Sequence, residues 1–450
     1  MKKSTQLLFA ALAAQAANAA DIGDVIVRQQ WPWSTDVKVE YKVTGVTTPV
    51  DVSVTAYNGN IQLDSATLEA AISGDRYGIS QSGVYSFTID PVSAFGTNQI
   101  ALGDFRVRLS ISDSAIQNAD EVLYKVFDLT TGECQNLTRA DFYNGKVESG
   151  AFVTNFAAIG TGYSTSLSDV LIWTGVTNNI KYKTTHLVMR KIPAASAGVW
   201  TMGTLPASTE PSWRKDTNHL VRITYDYYIG VFELTQRQFS FCTNVNSVSL
   251  GAEADVLPVN ALNYGVETSA RTARGCVKRL GNITGLTGFS LPTEAEWEFA
   301  CRAGTTSSLN SGENINSAAY YSGGDAKLNL LGWYAGNSGS ARHEVGTLRP
   351  NAFGLFDMHG NVEEWCLDWF SDGEDYVTSF GEGWTPETVV VDPTGPSEAT
   401  STYASKHTTR GGYYGHTAYY VRSASRLDST KDSATGSGKD GVRAKLILAE

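Results

Sequence analysis

The chain has 450 residues, 42% hydrophobic and 11% aromatic, with 46 acidic against 35 basic side chains and a formal net charge of −11. Such a length buries a substantial core without help from disulfides and suggests two domains. The acidic balance and the lack of a clustered basic stretch exclude nucleic acid as the expected partner, because neutralising phosphates takes grouped Lys and Arg.

Lys2 and Lys3 precede the apolar run LLFAALAA, and Ala17, Asn18 and Ala19 close it with small residues. This is the pattern of a cleaved export signal over residues 1–20, and the apolar run is too short to span a bilayer. No later segment is long enough either, so the expected mature protein is exported, periplasmic or extracellular, with no membrane span. Cysteines at Cys134, Cys242, Cys276, Cys301 and Cys366 make an odd count with no CxxC spacing. An oxidising compartment permits disulfides, with Cys301–Cys366 and Cys242–Cys276 as the pairs considered. Buried thiols acting as small hydrophobes are an equal alternative.

From 21 to 131 the runs VKVEYKV, VDVSVTAY, VYSFTI, FRVRLSI and VLYKVFDL alternate with turn residues. Short strands at this spacing predict an antiparallel, immunoglobulin-like β-sandwich, suited to display, spacing or partner binding. Residues 132–184, rich in Gly, Thr, Ser and Asn, read as a loosely packed connector with one strand at DVLIWTGV.

The second domain, 185–450, carries three helix starts. Thr235 with Gln238, and Thr293 with Glu296, form capping boxes. Asn263 is the expected cap of a helix whose apolar face is Val266, Ala270, Ala273, Val277 and Leu280, ending at Gly281. Beyond Gly304 the chain is Gly-, Asn- and Trp-rich, which predicts long loops pinned by buried rings.

Two motifs, LPTEAEWEFACRAG at 291–304 and NAFGLFDMHGNVEEWCLDWF at 351–370, stand in order with WTMG, YYIGVFELTQRQF, RGG and GVRAKL. This series resembles the sulfatase-modifying-factor domain of formylglycine-generating enzymes. The resemblance implies a loop-rich α+β fold related to C-type lectin domains. It also implies calcium held by Asp357, the carbonyls of Gly360 and Val362, and Glu364. Hard oxygens in a tight glycine turn suit Ca²⁺ independently of the resemblance, and imidazole such as His359 does not. An Asx-turn at Asp357 with a solvated Glu364 is the alternative. The stretch YYSGGDAKLNLLGWYAGN corresponds to a second calcium segment of the family without a clear alignment.

The enzymes that this series resembles bind copper through two cysteines after their glycine pair, since Cu(I) is soft. Here Gly411-Gly412 is followed by Tyr413, by His416 at the first cysteine position, and by Ala418 or Val421 at the second. Copper-thiol conversion of sulfatase cysteines is therefore not expected. Iron-dependent sulfoxide synthases of the same superfamily use an HxxxHxE-like pattern that none of the histidines here reproduces, which leaves iron open. His343, His407 and His416 are the remaining catalytic or metal candidates.

The segment YYGHTAYYVRS offers Tyr413, Tyr414, His416, Tyr419 and Tyr420 as a ligand-binding set, because Tyr joins rigid contact area to a polar tip. It is similar to the C-terminal variable surface of retroelement-diversified proteins. Core packing of half these tyrosines is the competing reading. Arg410 and Arg422 are expected to pair with Glu363 or Asp368, and Arg443 likewise with an acidic loop residue. Glu363 and Glu364 are neighbours that point apart, so they make no glycosidase pair. The expected function is a calcium-stabilised ligand-binding or display module for a protein or glycan. The alternative is a metal-dependent oxidoreductase acting on a protein or small thiol.

Overall fold

The computed structural model describes residues 20–29, 34–96, 104–148, 152–153, 171–204, 218–243, 251–265, 272–371, 385, 387–396, 406–430 and 438–448. Apart from Ala20, the expected export signal lies outside them. The chain divides into two compact units, 1–123 with 137–150, and 124–136 with 151–450.

The first unit is a β-sandwich of antiparallel strands. One sheet orders Asp21–Gln29, Val37–Thr44, Gly83–Ile89 and Ile72–Gly74, and the other orders Ile61–Gln62, Val50–Asn58 and Phe105–Asp113. Alternation decides which side chains turn inward: Val37, Val39, Tyr41 and Val43 are all buried, as are Phe105, Val107, Leu109 and Ile111. The short helix Arg139–Tyr143 belongs here too, with a capping box between Thr138 and Asp141. Next to it, Asn144 accepts from the backbone N–H groups of Arg76 and Tyr77.

Two features depart from the sequence reading. VLYKVFDL, expected in the sandwich, instead pairs through residues 124–128 antiparallel with His186–Ile192 in the second unit. Consecutive burial from Leu123 to Phe127 is the physical reason, since a strand covered on both faces is not a half-solvated sandwich strand. The stretch 132–184 is likewise no single loose connector. Residues 137–148 belong to the first unit, and near the end of the stretch Trp173 is buried with its ring edge-on to Tyr124 and Tyr182.

In the second unit one antiparallel sheet runs Phe289–Ser290, Lys445–Leu446, Tyr227–Gly230, His186–Ile192 and the strand already named. A four-stranded sheet orders Leu427–Thr430, Lys406–Arg410, Glu363–Trp369 and Asp440–Gly441, the last pair parallel. Both capping boxes form, at Thr235/Gln238 and at Thr293/Glu296. The helix Ala273–Thr284 is capped by Thr272, not Asn263, and it runs through Gly281 to a left-handed Gly285. Val266 and Ala270, expected on its apolar face, lie outside the described residues.

The helix Glu294–Arg302 is buried over its whole length. Three of its nine residues are glutamates, so each must be matched by a cation. Glu294 binds Arg426, Glu296 binds Lys445, and Glu298 binds Arg302 and Arg410. Around it the loops of 304–358 are pinned by rings, with Tyr320, Tyr334, Tyr419 and Val421 in one buried cluster.

Candidate functional site

The third motif begins where the strand Lys406–Arg410 ends in Gly411 and Gly412, both in left-handed conformation (φ 85° and 71°). A side chain at Gly412 would meet the Tyr420 carbonyl at 2.9 Å, so glycine lets the returning turn Ala418–Val421 lie against it. That turn brings the rings together. Tyr413 is edge-on to Tyr414 at 5.1 Å and to His416 at 4.3 Å, and His416 lies 4.8 Å from Tyr420. Tyr420 is edge-on to Tyr419 at 5.1 Å, and Tyr419 stacks on Tyr321 at 5.8 Å.

Of the five predicted ligand-binding residues, Tyr413, Tyr414, His416 and Tyr420 are partly exposed. Tyr419 is buried between the Arg422 guanidinium, 4.3 Å over its ring, and Tyr321. It supports the others from beneath. Tyr321 is 59% exposed and was missed by the sequence reading. Only its position beside the buried Tyr320 hinted at it, as the outward half of an adjacent pair.

Beneath the rings lies Glu363, fully buried. It accepts from Thr409 Oγ1 at 2.6 Å and from Lys439 Nζ at 2.8 Å, with His416 Nδ1 at 3.6 Å. Glu364 points the other way, as expected for neighbours on a strand. It takes Trp297 Nε1 at 2.6 Å and the Arg443 guanidinium at 2.7 Å.

The three histidine candidates sit in separate settings. His343 stacks on Trp333 at 3.7 Å and shares a hydrogen bond with the Ser338 carbonyl. His407 is buried against Tyr264, 3.4 Å away, and Trp369, with Nδ1 3.1 Å from the Leu367 carbonyl. His416 belongs to the tyrosine cluster. His359 is buried between the Val421 carbonyl and the Asn310 N–H, and burial lowers its pKa to about 4, which keeps it neutral. Among the described residues no three His, Cys, Asp or Glu side chains are arranged to hold one metal ion.

In the turn expected to hold calcium, Asp357, Gly360 and Asn361 are all in left-handed conformation. Asp357 Oδ2 accepts from the Gly346 N–H at 2.7 Å, while Oδ1 is buried without a hydrogen-bond partner. Burial raises the Asp357 pKa to about 6. Glu233, also fully buried, adds a carboxylate that the sequence reading missed. It accepts from Asn361 Nδ2 at 2.7 Å and the Val362 N–H at 2.9 Å. Burial, then the charges of Asp357 and Glu364, push its pKa well up. An acid inside the apolar run YYIGVFEL was the available signal.

Arg443 bonds Glu364 directly, and although burial works against its charged form, the nearby carboxyls of Glu233 and Asp357 also favour it. For the expected calcium, Asp357 Oδ1 fits as a donor. Glu364 fits less well, because both of its oxygens already accept from Arg443 and Trp297.

Of the arginine expectations, that for Arg410 is corrected and that for Arg443 holds. Arg410 pairs with Glu298 and Glu294, not with Glu363 or Asp368. Arg422 donates to the Tyr419 carbonyl and Thr204 Oγ1. Arg443 binds an acidic residue, Glu364, on the strand Glu363–Trp369. Arg410 lies over Trp297 of the helix Glu294–Arg302, while Glu363 is already met by Thr409 and Lys439.

Residues 189–444 match the family model of the sulfatase-modifying factor enzyme 1-like domain. The chain is 35% identical over 160 residues to the formylglycine-generating enzyme of Streptomyces coelicolor, covering 33% of this chain and 44% of that protein. It is 29% identical over 196 residues to the chaperone protein LppX of Paenibacillus barcinonensis, covering 35% of this chain and 69% of that one. Among solved structures, Treponema denticola variable protein 1 aligns at a TM-score of 0.41 and 24% identity, over 58% of this chain and 95% of that one. The match therefore spans less than half the length of the formylglycine-generating enzyme.

Proposed function

Because the chain belongs to the sulfatase-modifying factor enzyme 1-like family, with residues 189–444 as the matched domain, we propose that this domain is a ligand-binding module working without copper-thiol formylglycine chemistry. Its contact face is Tyr413, Tyr414, His416 and Tyr420, supported by Tyr419 and extended by Tyr321. The observation that carries the reading is the unbroken series of ring contacts from Tyr414 to Tyr321, in which every ring but the buried Tyr419 is at least partly exposed. Rigid rings with polar tips give contact area at low entropic cost. No cysteine follows Cys366, so the third motif has no thiolates for Cu(I).

The ligand is a protein segment or a glycan, and arrays of both probed with the purified chain would identify it. Against a hit, Tyr413→Ala and Tyr420→Ala should each weaken binding by about tenfold or more. Binding unchanged in both variants would reject this face. A second reading, a metal-dependent oxidoreductase on a protein or small thiol substrate, draws on His416 beside the buried Glu363. Turnover of a CxPxR peptide by metal-loaded protein under oxygen would favour it over binding.

The proposal includes a structural calcium ion held by Asp357 and the carbonyls of Gly360 and Val362, next to Glu364. The ion would give the buried Asp357 Oδ1 a partner and stiffen the turn. Saturating calcium should then raise the melting temperature by about 5 °C, and a chelator should reverse the gain. Asp357→Asn should abolish the response. Elemental analysis finding no bound calcium, together with an unmoved melting temperature, would remove the ion from the proposal.

A further inference from the structure

We infer that the contact face extends beyond the tyrosines onto Trp333 and His343, and that the ligand it takes is a glycan. This rests on the proposed ligand-binding reading and names its ligand class. The Trp333 indole and the His343 imidazole stack at 3.7 Å, 14° from parallel, and both residues are partly exposed. Trp333 Nε1 donates to Thr347 Oγ1 at 3.1 Å, which fixes the plane of the pair.

Hydrogen bonds place this pair beside the tyrosines. The Ala335 N–H donates to the His416 carbonyl at 2.8 Å, and Ser338 Oγ donates to the Tyr414 carbonyl at 2.7 Å. Between the two groups of rings sits the fully buried Asn361. Its backbone N–H donates to the Trp333 carbonyl at 2.8 Å, and its carbonyl accepts from the Tyr414 N–H at 3.0 Å. Its side chain accepts from the His343 N–H at 3.0 Å and donates to the His343 carbonyl at 3.2 Å. One residue thus ties Trp333 and His343 to Tyr414.

A glycan suits this face better than a peptide because of what the face still offers. A peptide that binds as an added strand needs an open strand edge, and one that binds as a helix needs an apolar groove. Here the N–H groups of Tyr414, His416 and Tyr420 and the carbonyls of Tyr413, Tyr414 and His416 are all bonded within the protein. Every ring on the face, Tyr321 and Trp333 included, carries a polar O–H or N–H. Recognition therefore falls to ring faces and ring tips. The electronegative π faces pack on the C–H groups of a sugar ring, and phenol hydroxyls both donate to and accept from its hydroxyls. A stacked indole and imidazole beside a row of tyrosines supplies both kinds of contact.

The test probes the full chain against an array of neutral, amino-sugar and uronic oligosaccharides and against a peptide array, then titrates the strongest glycan hit by calorimetry. A glycan hit is expected. Trp333→Ala and His343→Ala should each weaken it by about tenfold or more, while Trp333→Tyr, which keeps a ring, retains most of the binding. His343→Ala is the deciding variant where melting shows that Trp333→Ala has lost its fold. Glycan binding that Tyr413→Ala weakens, but that Trp333→Ala and His343→Ala leave unchanged, would overturn the extension and spare the tyrosine face. Binding unchanged in all three variants would overturn both. Hits on the peptide array alone, or no hit on either array, would overturn the glycan as ligand class.

Discussion

Arg410→Ala should destabilise the protein by about 3–5 kcal/mol, among the largest losses available to a single substitution outside the apolar core. Arg410 is fully buried where the four-stranded sheet meets the helix Glu294–Arg302. Its Nη2 bonds Glu298, its Nη1 bonds the Ser425 carbonyl, its Nε lies 3.6 Å from Glu294, and its guanidinium sits 5.4 Å over the Trp297 ring. Although burial works against the charge, Glu298 and Glu294 hold Arg410 above the ordinary arginine range. Burial likewise works against ionised Glu298, yet Arg302 and Arg410 keep its pKa below the usual glutamate value. Removing Arg410 leaves those carboxylates short of positive charge in a region without solvent. Urea unfolding of the variant measures the loss. A double-mutant cycle with Glu298→Gln should be strongly non-additive, since the second change removes the charge that the first exposes. A loss below about 1 kcal/mol would show that water reaches the pair.

Gly360→Ala should cost about 3 kcal/mol or more, for a reason of backbone geometry. Gly360 has φ 89°, and an added Cβ would sit 2.0 Å from the Trp333 carbonyl oxygen. That oxygen belongs to the strand Gly332–Trp333, which pairs in parallel with His359–Gly360, so it cannot turn aside as a flexible side-chain tip could. Gly285→Ala is the matched control: it also has positive φ, at 70°, but nothing lies within 4 Å of its added Cβ. The control should lose only about 1 kcal/mol, the usual penalty for a left-handed alanine. Equal losses in the two variants would mean that the contact with Trp333 contributes nothing.

Local chemistry was enough to place much of this molecule. The boxes at Thr235/Gln238 and Thr293/Glu296 are short-range hydrogen-bond patterns, so three or four residues reveal them. Alternation in VKVEYKV and FRVRLSI similarly reveals which side of a sandwich strand faces inward. The two long motifs carried the family, which the match over 189–444 then showed. Asn263 failed as a helix cap because Thr272 is an equally good local candidate and lies where the helix begins. VLYKVFDL failed as a sandwich strand because a strand buried on both faces carries no alternation that would reveal its sheet.

The remainder depended on partners distant in the chain. Arg410 needed the helix carboxylates for its pairing, and only packing of that helix against the sheet brings them within reach. Glu233 reaches Asn361 and Val362 because a segment far away in the chain packs against that turn. Tyr321 reaches Tyr419 across a hundred intervening positions, roughly, in a loop-rich domain where no periodic pattern links them. Composition, caps and motifs thus determined the family, the α+β class and the residues of the aromatic segment. Which tyrosine faces outward, which supports from beneath, and which carboxylates meet a cation were decided by tertiary packing, since burial and charge balance are properties of what surrounds a residue.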